Sequence, residues 1–244
     1  MKHRAFAVLC FSTAVVLAVH CQPAHAGETA IQALIRRLSD PDVEVRKTAA
    51  RFVRQLSQAA LREVIPALGR LAKDENRRLA AESVETLGKL GPDAVPALIE
   101  ALKDQRPDVR AAAVSALRGA GPAAKDAVPL LIAALNDANE KVRWDAVAAL
   151  GTIGPAAEAA LAPLSALLAA GPPKEGADAR QSVPFRALVA ETLGLLGAKA
   201  VAPLTKTLED PVPEMRAAAA AALAKLGPAA QEAVPALLQK LKDT

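Results

Sequence analysis

The sequence predicts an all-α protein, an α-solenoid of about six helix pairs followed by a terminal helix. Two series of residues recur along the chain at a nearly constant offset from each other. The first series consists of prolines between apolar residues, spaced 30, 33, 34, 40 and 32 residues apart, at Pro66, Pro96, Pro129, Pro163, Pro203 and Pro235. The second series consists of an apolar residue followed by arginine, at Val45-Arg46, Val109-Arg110, Val142-Arg143, Phe185-Arg186 and Met215-Arg216. Two residue series that keep a constant offset along a chain are typical of stacked repeats, in which each unit packs only against its neighbours.

Helical periodicity predicts the elements in order. In the segment that begins at Asn139, four apolar residues lie at i, i+4, i+5 and i+8 on one helical face, namely Val142, Ala146, Val147 and Leu150. The pattern predicts thirteen helices, near residues 28–39, 42–57, 60–73, 75–90, 93–103, 107–119, 123–136, 139–153, 156–169, 183–196, 198–209, 213–226 and 229–242. We expect the last helix to be a terminal cap, with an apolar side formed by Val234, Leu237, Leu238 and Leu241.

Glycine, proline and aspartate are predicted to mark the helix ends. Gly-Pro pairs end one helix and open the next, at Gly91-Pro92, Gly121-Pro122, Gly154-Pro155 and Gly227-Pro228. The prolines of the first series follow a few residues later, and because each removes a backbone hydrogen bond we expect a kink in the first helix of every pair. Aspartates at the turn within each pair are expected to accept N–H groups at the start of the second helix, at Asp40, Asp74, Asp104, Asp137 and Asp210.

The first 26 residues predict a secretory signal peptide. Residues 2–4 are basic, residues 5–19 form an apolar run, and Ala24-His25-Ala26 is a small-x-small cleavage site. The apolar run is short for a membrane-spanning helix, and no stop-transfer pattern follows it. We therefore expect cleavage after Ala26, a periplasmic or secreted protein without a transmembrane segment, and one repeat domain over residues 27–244. An uncleaved N-terminal anchor is the alternative.

Composition argues against catalysis in the mature chain. All three histidines and both cysteines lie within the first 26 residues, and the chain has no tyrosine. Residues 27–244 thus lack the usual ligands of zinc and iron and the commonest general base. We predict no catalytic residue, no metal site and no cofactor. Without Lys2 and Arg4, 28 basic residues face 26 acidic ones, a small excess that makes a nucleic-acid partner unlikely.

Together these features resemble the HEAT repeat in its short bacterial form, the phycobilin-lyase-type repeat. The unit that matches best has Val128-Pro129, Asp137, Val142-Arg143, Leu150-Gly151 and Gly154. The resemblance covers essentially the whole mature chain. It implies that each arginine of the second series bonds a turn aspartate of its own unit or the next one, in a structural ladder formed by Arg46, Arg110, Arg143, Arg186 and Arg216 with Asp40, Asp104, Asp137 and Asp210. A basic groove is the alternative interpretation of these arginines.

The resemblance also implies that the second helix of each pair lines a concave face. Residues one and two places after each ladder position would lie there, and most of them are small. The candidate binding residues are Trp144, Leu188, Asp145, Lys47, Arg51 and Arg118. Trp144, the only tryptophan, is either an exposed anchor or is buried under the loop of the fifth unit.

Two units depart from the pattern. The second has Leu79-Ala80 where an apolar residue and arginine are expected. In the fifth, 23 residues separate Pro163 from Arg186, which adds about nine residues around 170–182. This insertion is either a tolerated surface loop or part of a binding face.

The function that these features predict is an exported, non-catalytic protein-binding scaffold or adaptor. Its partner is an unidentified protein, and its oligomeric state is open. A tetrapyrrole (bilin) lyase-like or chaperone-like accessory protein is the alternative implied by the resemblance. A third interpretation, a binder of an anionic polymer or membrane surface, comes from the basic residues concentrated in the first two units.

Overall fold

The computed structural model describes residues 29–53, 55–170 and 182–240. The predicted signal peptide, most of the 170–182 insertion and Leu241 lie outside these residues. The described residues form thirteen α-helices, which are α1 (Ala30–Arg37), α2 (Val43–Val53), α3 (Gln58–Leu71), α4 (Arg77–Gly88), α5 (Val95–Ala101), α6 (Pro107–Ala120), α7 (Val128–Ala134), α8 (Glu140–Ile153), α9 (Leu161–Leu168), α10 (Val183–Leu196), α11 (Val201–Thr207), α12 (Pro213–Leu226) and α13 (Val234–Lys240).

The helices stack as successive pairs in two layers. Each odd-numbered helix up to α11 packs against the even-numbered helix that follows it, and α2, α4, α6, α8, α10 and α12 pack against one another in chain order. No strand occurs within the described ranges. The predicted α-solenoid is therefore confirmed. The surface made by the six even-numbered helices is called the even-helix face below.

The first turn of each odd helix from α5 onward differs from the prediction. Five 3₁₀ turns precede these helices, at Gly91–Ala94, Gly121–Ala127, Gly154–Ala160, Ala198–Ala200 and Gly227–Ala233. Gly121 and Gly154 end the preceding helices with φ of 56° and 70°, a conformation that glycine adopts readily. The predicted helices begin early because these tight turns continue the helical sequence pattern.

The kinks predicted at the first proline series are wrong for most units. Pro96 and Pro129 lie in the first turns of α5 and α7, where the N–H group that proline lacks would have no partner within the helix. The chain bends earlier, within the 3₁₀ turn, where Ala124 has a φ of −84° and a ψ of 15°. Pro66 does lie inside its helix, α3.

Aspartates and asparagines order the turns between the paired helices. The Asp137 carboxylate accepts the N–H of Asn139 at 2.8 Å, and the Asn139 side chain accepts the N–H of Val142 at 3.2 Å. Asp74 and Asn76 repeat this arrangement before α4. The predicted capping by the turn aspartates thus occurs two residues on, and asparagine caps the helix itself.

Small residues bring the even helices close together. The core consists mainly of alanine, leucine and valine. A Cβ atom built on Gly88 would lie 2.7 Å from Cβ of Ala116, and one on Gly194 would lie 2.9 Å from the backbone oxygen of Ala222. Both glycines therefore lie where a side chain does not fit between neighbouring even helices.

The terminal helix α13 leaves part of its apolar side exposed. Val234 and Leu238 are 45% and 55% exposed, whereas the equivalents of Val234 in two earlier units, Val95 and Val128, are 5% and 4% exposed. In those units the 3₁₀ turn of the following unit packs against the odd helix. Leu237, also on the expected apolar side, packs against the core, and the terminal cap stays a prediction because Leu241 lies outside the described residues.

One stretch of the described residues, Glu140–Leu168, is long and apolar enough to cross a membrane by composition. Half of its most apolar window is buried inside the protein. It also comprises two helices separated by the turn at Gly154. These features are those of core helices in the stack.

Candidate binding face and arginine ladder

Arg110 shows how the ladder arginines join neighbouring units. Its Nε and Nη2 atoms donate to the two carboxylate oxygens of Asp137, in the next unit, at 2.7 and 2.8 Å. Its Nη1 donates to the carbonyl oxygens of Asp104 and Gln105, in the turn of its own unit, at 2.9 and 2.7 Å. One planar guanidinium thus fixes a turn and ties it to the next pair of helices.

The other ladder arginines keep parts of this geometry. Arg46 reaches Asp74 in the next unit at 2.5 Å and donates to the carbonyl oxygen of Asp40 at 2.8 Å. Arg143 and Arg216 donate to the carbonyl oxygens of Asp137 and Asp210, the turn aspartates of their own units, at 2.9 and 3.0 Å.

Arg186 is the most deeply buried ladder residue, with its side chain 1% exposed. Its Nη2 donates to the carboxylate of Asp210 at 2.5 Å and to the carbonyl oxygen of Leu168 at 2.9 Å. Its Nη1 is buried without a hydrogen-bond acceptor in the described part of the chain. In the other ladder units this atom donates to carbonyls five and six residues earlier; for Arg186 those are residues 180 and 181, which lie outside the described ranges.

Sequence reasoning missed Arg106, which compensates for the missing arginine of the second unit. The ladder position there is Ala80, which is fully buried. Arg106, from the next turn, donates to the carbonyl oxygens of Asp74 at 2.5 Å and Ala72 at 3.1 Å. It also binds the carboxylate of Asp104 with Nε and Nη2, both at 2.8 Å. The only signal was an arginine two residues after a turn aspartate, one unit beyond the gap.

The ladder hydrogen bonds perturb the ionisation of its members. Hydrogen bonds from Arg110 hold the pKa of Asp137 below its ordinary value of 3.8, and those from Arg106 do the same for the pKa of Asp104. A carboxyl whose pKa is lowered by folding stabilises the fold above its unfolded pKa, and this contribution is lost as the pH falls through the folded pKa.

The variant Asp137→Asn tests this linkage. We expect it to lower the free energy of unfolding at pH 7 by about 1–3 kcal/mol, because Arg110 loses its charged acceptor. As the pH falls from about 4 through the lowered pKa of Asp137, the gap to the unmodified protein should narrow, because the carboxyl then loses its charge in the native state as well as in the unfolded one. Urea denaturation between pH 3 and 7 measures both effects. Asp126→Asn, at an exposed acid in a 3₁₀ turn, is the control with little expected effect; a gap that stays constant with pH would contradict the linkage.

The predicted binding residues fall at three separate places on the even-helix face. Lys47 and Arg51 line a recess between α2 and α4 with a volume of about 260 Å³. Asp145 of α8 is bound by Lys141 at 2.8 Å and lies 3.7 Å from Arg118 of α6. Arg118 and Asp145 are therefore partners of each other, and they join the third and fourth units.

Trp144 and Leu188 form the third place. Both side chains are half-buried and pack against the core. The ring of Trp144 meets the buried ring of Phe185 edge to face, with 5.3 Å between centroids and 63° between planes. Part of the tryptophan is thus occupied in joining α8 to α10.

A depression of about 800 Å³ on this face is a groove that runs from α4 across α6 to the start of α8. Its floor consists of small residues, among them Ala81, Gly88, Ala111, Ala112, Ser115, Ala116 and Gly119. Trp144, Leu188 and Asp145 do not line it. The sequence places Ala81, Ala111 and Ala112 on this face, but Glu85, Lys89 and Ser115 were missed. They lie one or two helical turns further along the same helices, so the i+4 and i+8 spacing was the available signal.

The groove combines a floor of small residues with charged groups around it. Within the described ranges, no group of three or more histidine, cysteine, aspartate or glutamate side chains is placed to hold a metal ion. The groups around the small-residue floor include a glutamate, an aspartate and two lysines, at Glu85, Asp108, Lys89 and Lys141. Such a surface can bind an extended or helical polypeptide through its floor and its charged edges.

Comparison with known proteins agrees with this architecture. A family model for HEAT repeats matches residues 31–118, 95–183 and 173–244. No curated protein sequence matches the chain significantly.

Several solved structures are similar. An engineered protein, solved as a crystal structure by a structural genomics consortium, has a TM-score of 0.55 at 21% identity, over 83% of this chain and 98% of that one. A designed armadillo repeat protein in complex with the peptide (KR)4 has a TM-score of 0.53 at 20% identity, over 82% and 100%. The complex of CpcE and CpcF of phycocyanin lyase from Nostoc sp. has a TM-score of 0.49 at 25% identity, over 89% and 85%. The first two similarities establish the fold.

Proposed function

The chain belongs to the HEAT-repeat family, and from this premise we propose that it is an exported, non-catalytic scaffold or adaptor that binds a protein partner on its even-helix face. Family resemblance predicts this face to be concave. The observation that supports the proposal is the groove across α4, α6 and α8, whose floor of alanine, glycine and serine side chains leaves about 800 Å³ open.

The layered packing explains why a binding role suits this molecule. Within the described ranges each helix pair packs against the pairs on either side, which leaves the even-helix face uncovered by any other described helix. The floor residues are too small to fill the groove, and the charged residues around it are arranged along it. A polypeptide laid across several units would contact all of them at once. Export is proposed from the sequence pattern of residues 1–26.

The variant Ala112→Arg tests the groove directly. Ala112 is half-buried in the groove floor, and an arginine there would extend into the open volume without replacing a core side chain. We expect the variant to lose capture of envelope proteins that the unmodified protein retains on an affinity column, identified by mass spectrometry. Its free energy of unfolding should change by less than about 0.5 kcal/mol.

The matched control for this experiment is Ala123→Arg. Ala123 is exposed in the 3₁₀ turn before α7, away from the groove lining, and receives the same change of size and charge. It should capture the same proteins as the unmodified chain. If Ala112→Arg and Ala123→Arg capture the same set in the same amounts, the groove is not the binding surface.

A further inference from the structure

The even-helix face of the first units combines two depressions that meet at α4. The first is the recess of about 260 Å³ between α2 and α4, and the second is the groove described above. The charged residues that line the two are Glu44, Lys47, Arg51, Arg78, Glu82, Glu85, Lys89, Asp108 and Lys141. Five of these nine side chains are basic, so their state of pairing decides which charge the surface presents.

Internal ion pairs neutralise most of the set. Lys47 binds Glu44 at 2.7 Å and Arg78 binds Glu82 at 2.8 Å, both within one helix. The remaining two pairs reach residues outside the lining: Asp108 binds Arg77 at 3.2 Å and Lys141 binds Asp145 at 2.8 Å. These contacts occupy six of the nine side chains.

Arg51 and Lys89 are the cations that remain. Both are exposed, and neither has an ion-pair or hydrogen-bond partner in the described part of the chain. Glu85, one helical turn before Lys89, is the one acid of this lining that is likewise exposed and without a partner in the described part of the chain. Unpaired positive charge therefore exceeds unpaired negative charge in the lining of the two neighbouring depressions.

The distribution of charge along the chain also places an excess of basic residues in the first two units. Residues 27–90, which comprise the first two units, contain twelve basic and nine acidic side chains, whereas residues 91–244 contain 16 basic and 17 acidic ones. The first two units thus carry a positive field beside a nearly neutral remainder. Such a field raises the association rate of an acidic partner and directs it to this end.

We infer that the recess and the groove take an acidic protein segment, with its carboxylates at Arg51 and Lys89. This inference rests on the proposed function. The acids interspersed in the lining oppose a polymer with a phosphate at every step, and nucleic-acid binding needs a denser basic stripe. A flat bilayer surface does not fill a groove floored by methyl groups. A polypeptide can place carboxylates at two points and small or apolar side chains between them.

The test uses the full mature chain and a fluorescein-labelled peptide of Glu, Ala and Leu, about four helical turns long. A peptide with every Glu replaced by Lys is the matched probe. In fluorescence anisotropy we expect the Glu peptide to bind more tightly than the Lys peptide, and to bind more weakly as salt is added. Arg51→Glu and Lys89→Glu should each weaken binding of the Glu peptide about five- to tenfold, since each replaces an attraction by a repulsion.

Lys125→Glu is the control variant, because Lys125 is exposed in the 3₁₀ turn before α7 and receives the same charge change. It should bind the Glu peptide as the unmodified protein does. Equal binding of the Glu and Lys peptides, or an equal effect of Lys89→Glu and Lys125→Glu, would overturn the inference. The inference would also be overturned if the protein sediments with phosphatidylglycerol vesicles and the Glu peptide does not reduce that sedimentation. If Ala112→Arg still abolishes capture in that case, the proposed function stands and only the acidic partner is wrong.

Discussion

Arg186→Leu is expected to destabilise the protein by about 3–5 kcal/mol, the largest effect of any single substitution considered. The guanidinium is 1% exposed, and its removal leaves the carboxylate of Asp210, itself 9% exposed, without its cation. The carbonyl oxygen of Leu168 loses its donor as well. A buried charge that loses its partner retains its full desolvation cost. Urea denaturation followed by far-UV circular dichroism measures the loss.

Two comparisons separate burial from the mere loss of an ion pair. Arg77→Ala removes a pair with Asp108 whose side chains are 65% and 39% exposed, and it should cost less than about 1 kcal/mol. The double variant Arg186→Leu/Asp210→Leu should recover part of the stability lost in Arg186→Leu, since no unpaired charge remains. If Arg77→Ala and Arg186→Leu lower the free energy of unfolding by similar amounts, burial of the ladder arginine does not determine the cost of removing it.

Gly194→Ala is expected to lower the free energy of unfolding by about 1–3 kcal/mol, despite the better helix propensity of alanine. The added methyl group would lie 2.9 Å from the backbone oxygen of Ala222 and 3.1 Å from its Cβ atom. Because these are parts of a helix and not the end of a flexible side chain, α10 and α12 must separate. Thermal and urea denaturation measure the cost.

Gly119→Ala is the matched control for this substitution. Gly119 lies inside α6, and apart from its chain neighbours and its own helix backbone nothing lies within 4 Å of an added Cβ. The same chemical change should therefore be neutral or stabilise by up to about 1 kcal/mol, since alanine restricts the unfolded chain and favours the helix. If Gly194→Ala is as well tolerated as Gly119→Ala, close approach of the even helices is not a requirement of the stack.

The helices could be predicted from the sequence because their signals are local. The periodic placement of Val142, Ala146 and Leu150 depends only on the geometry of one helix. The starts of the odd helices could not be placed as well. A 3₁₀ turn such as Gly121–Ala127 has nearly the same sequence pattern as the first turn of an α-helix, and the two differ in which carbonyl accepts each N–H.

The even-helix face could be predicted from the sequence, but the contacts among the candidate binding residues could not. Positions one and two after the ladder arginine correctly indicated Ala111 and Ala112 as part of the even-helix face. The choice of Trp144 as an anchor overlooked its contact with Phe185, a residue 41 positions away that only packing brings near. For the same reason Arg118 and Asp145 were taken as separate binding residues although they face each other across two units.

By itself the sequence determined the repeat, its length and the identity of the turn aspartates and ladder arginines, because each follows from spacing within about one unit. The tertiary structure decided which charged side chains form ion pairs and which remain unpaired. Asp137 is committed to Arg110 and Asp74 to Arg46, while Arg51 and Lys89 keep no partner in the described part of the chain. Ion pairs between layers join residues about 30 positions apart. The angle and distance between neighbouring layers determine which residues form these pairs. Spacing along the chain carries no information on either quantity.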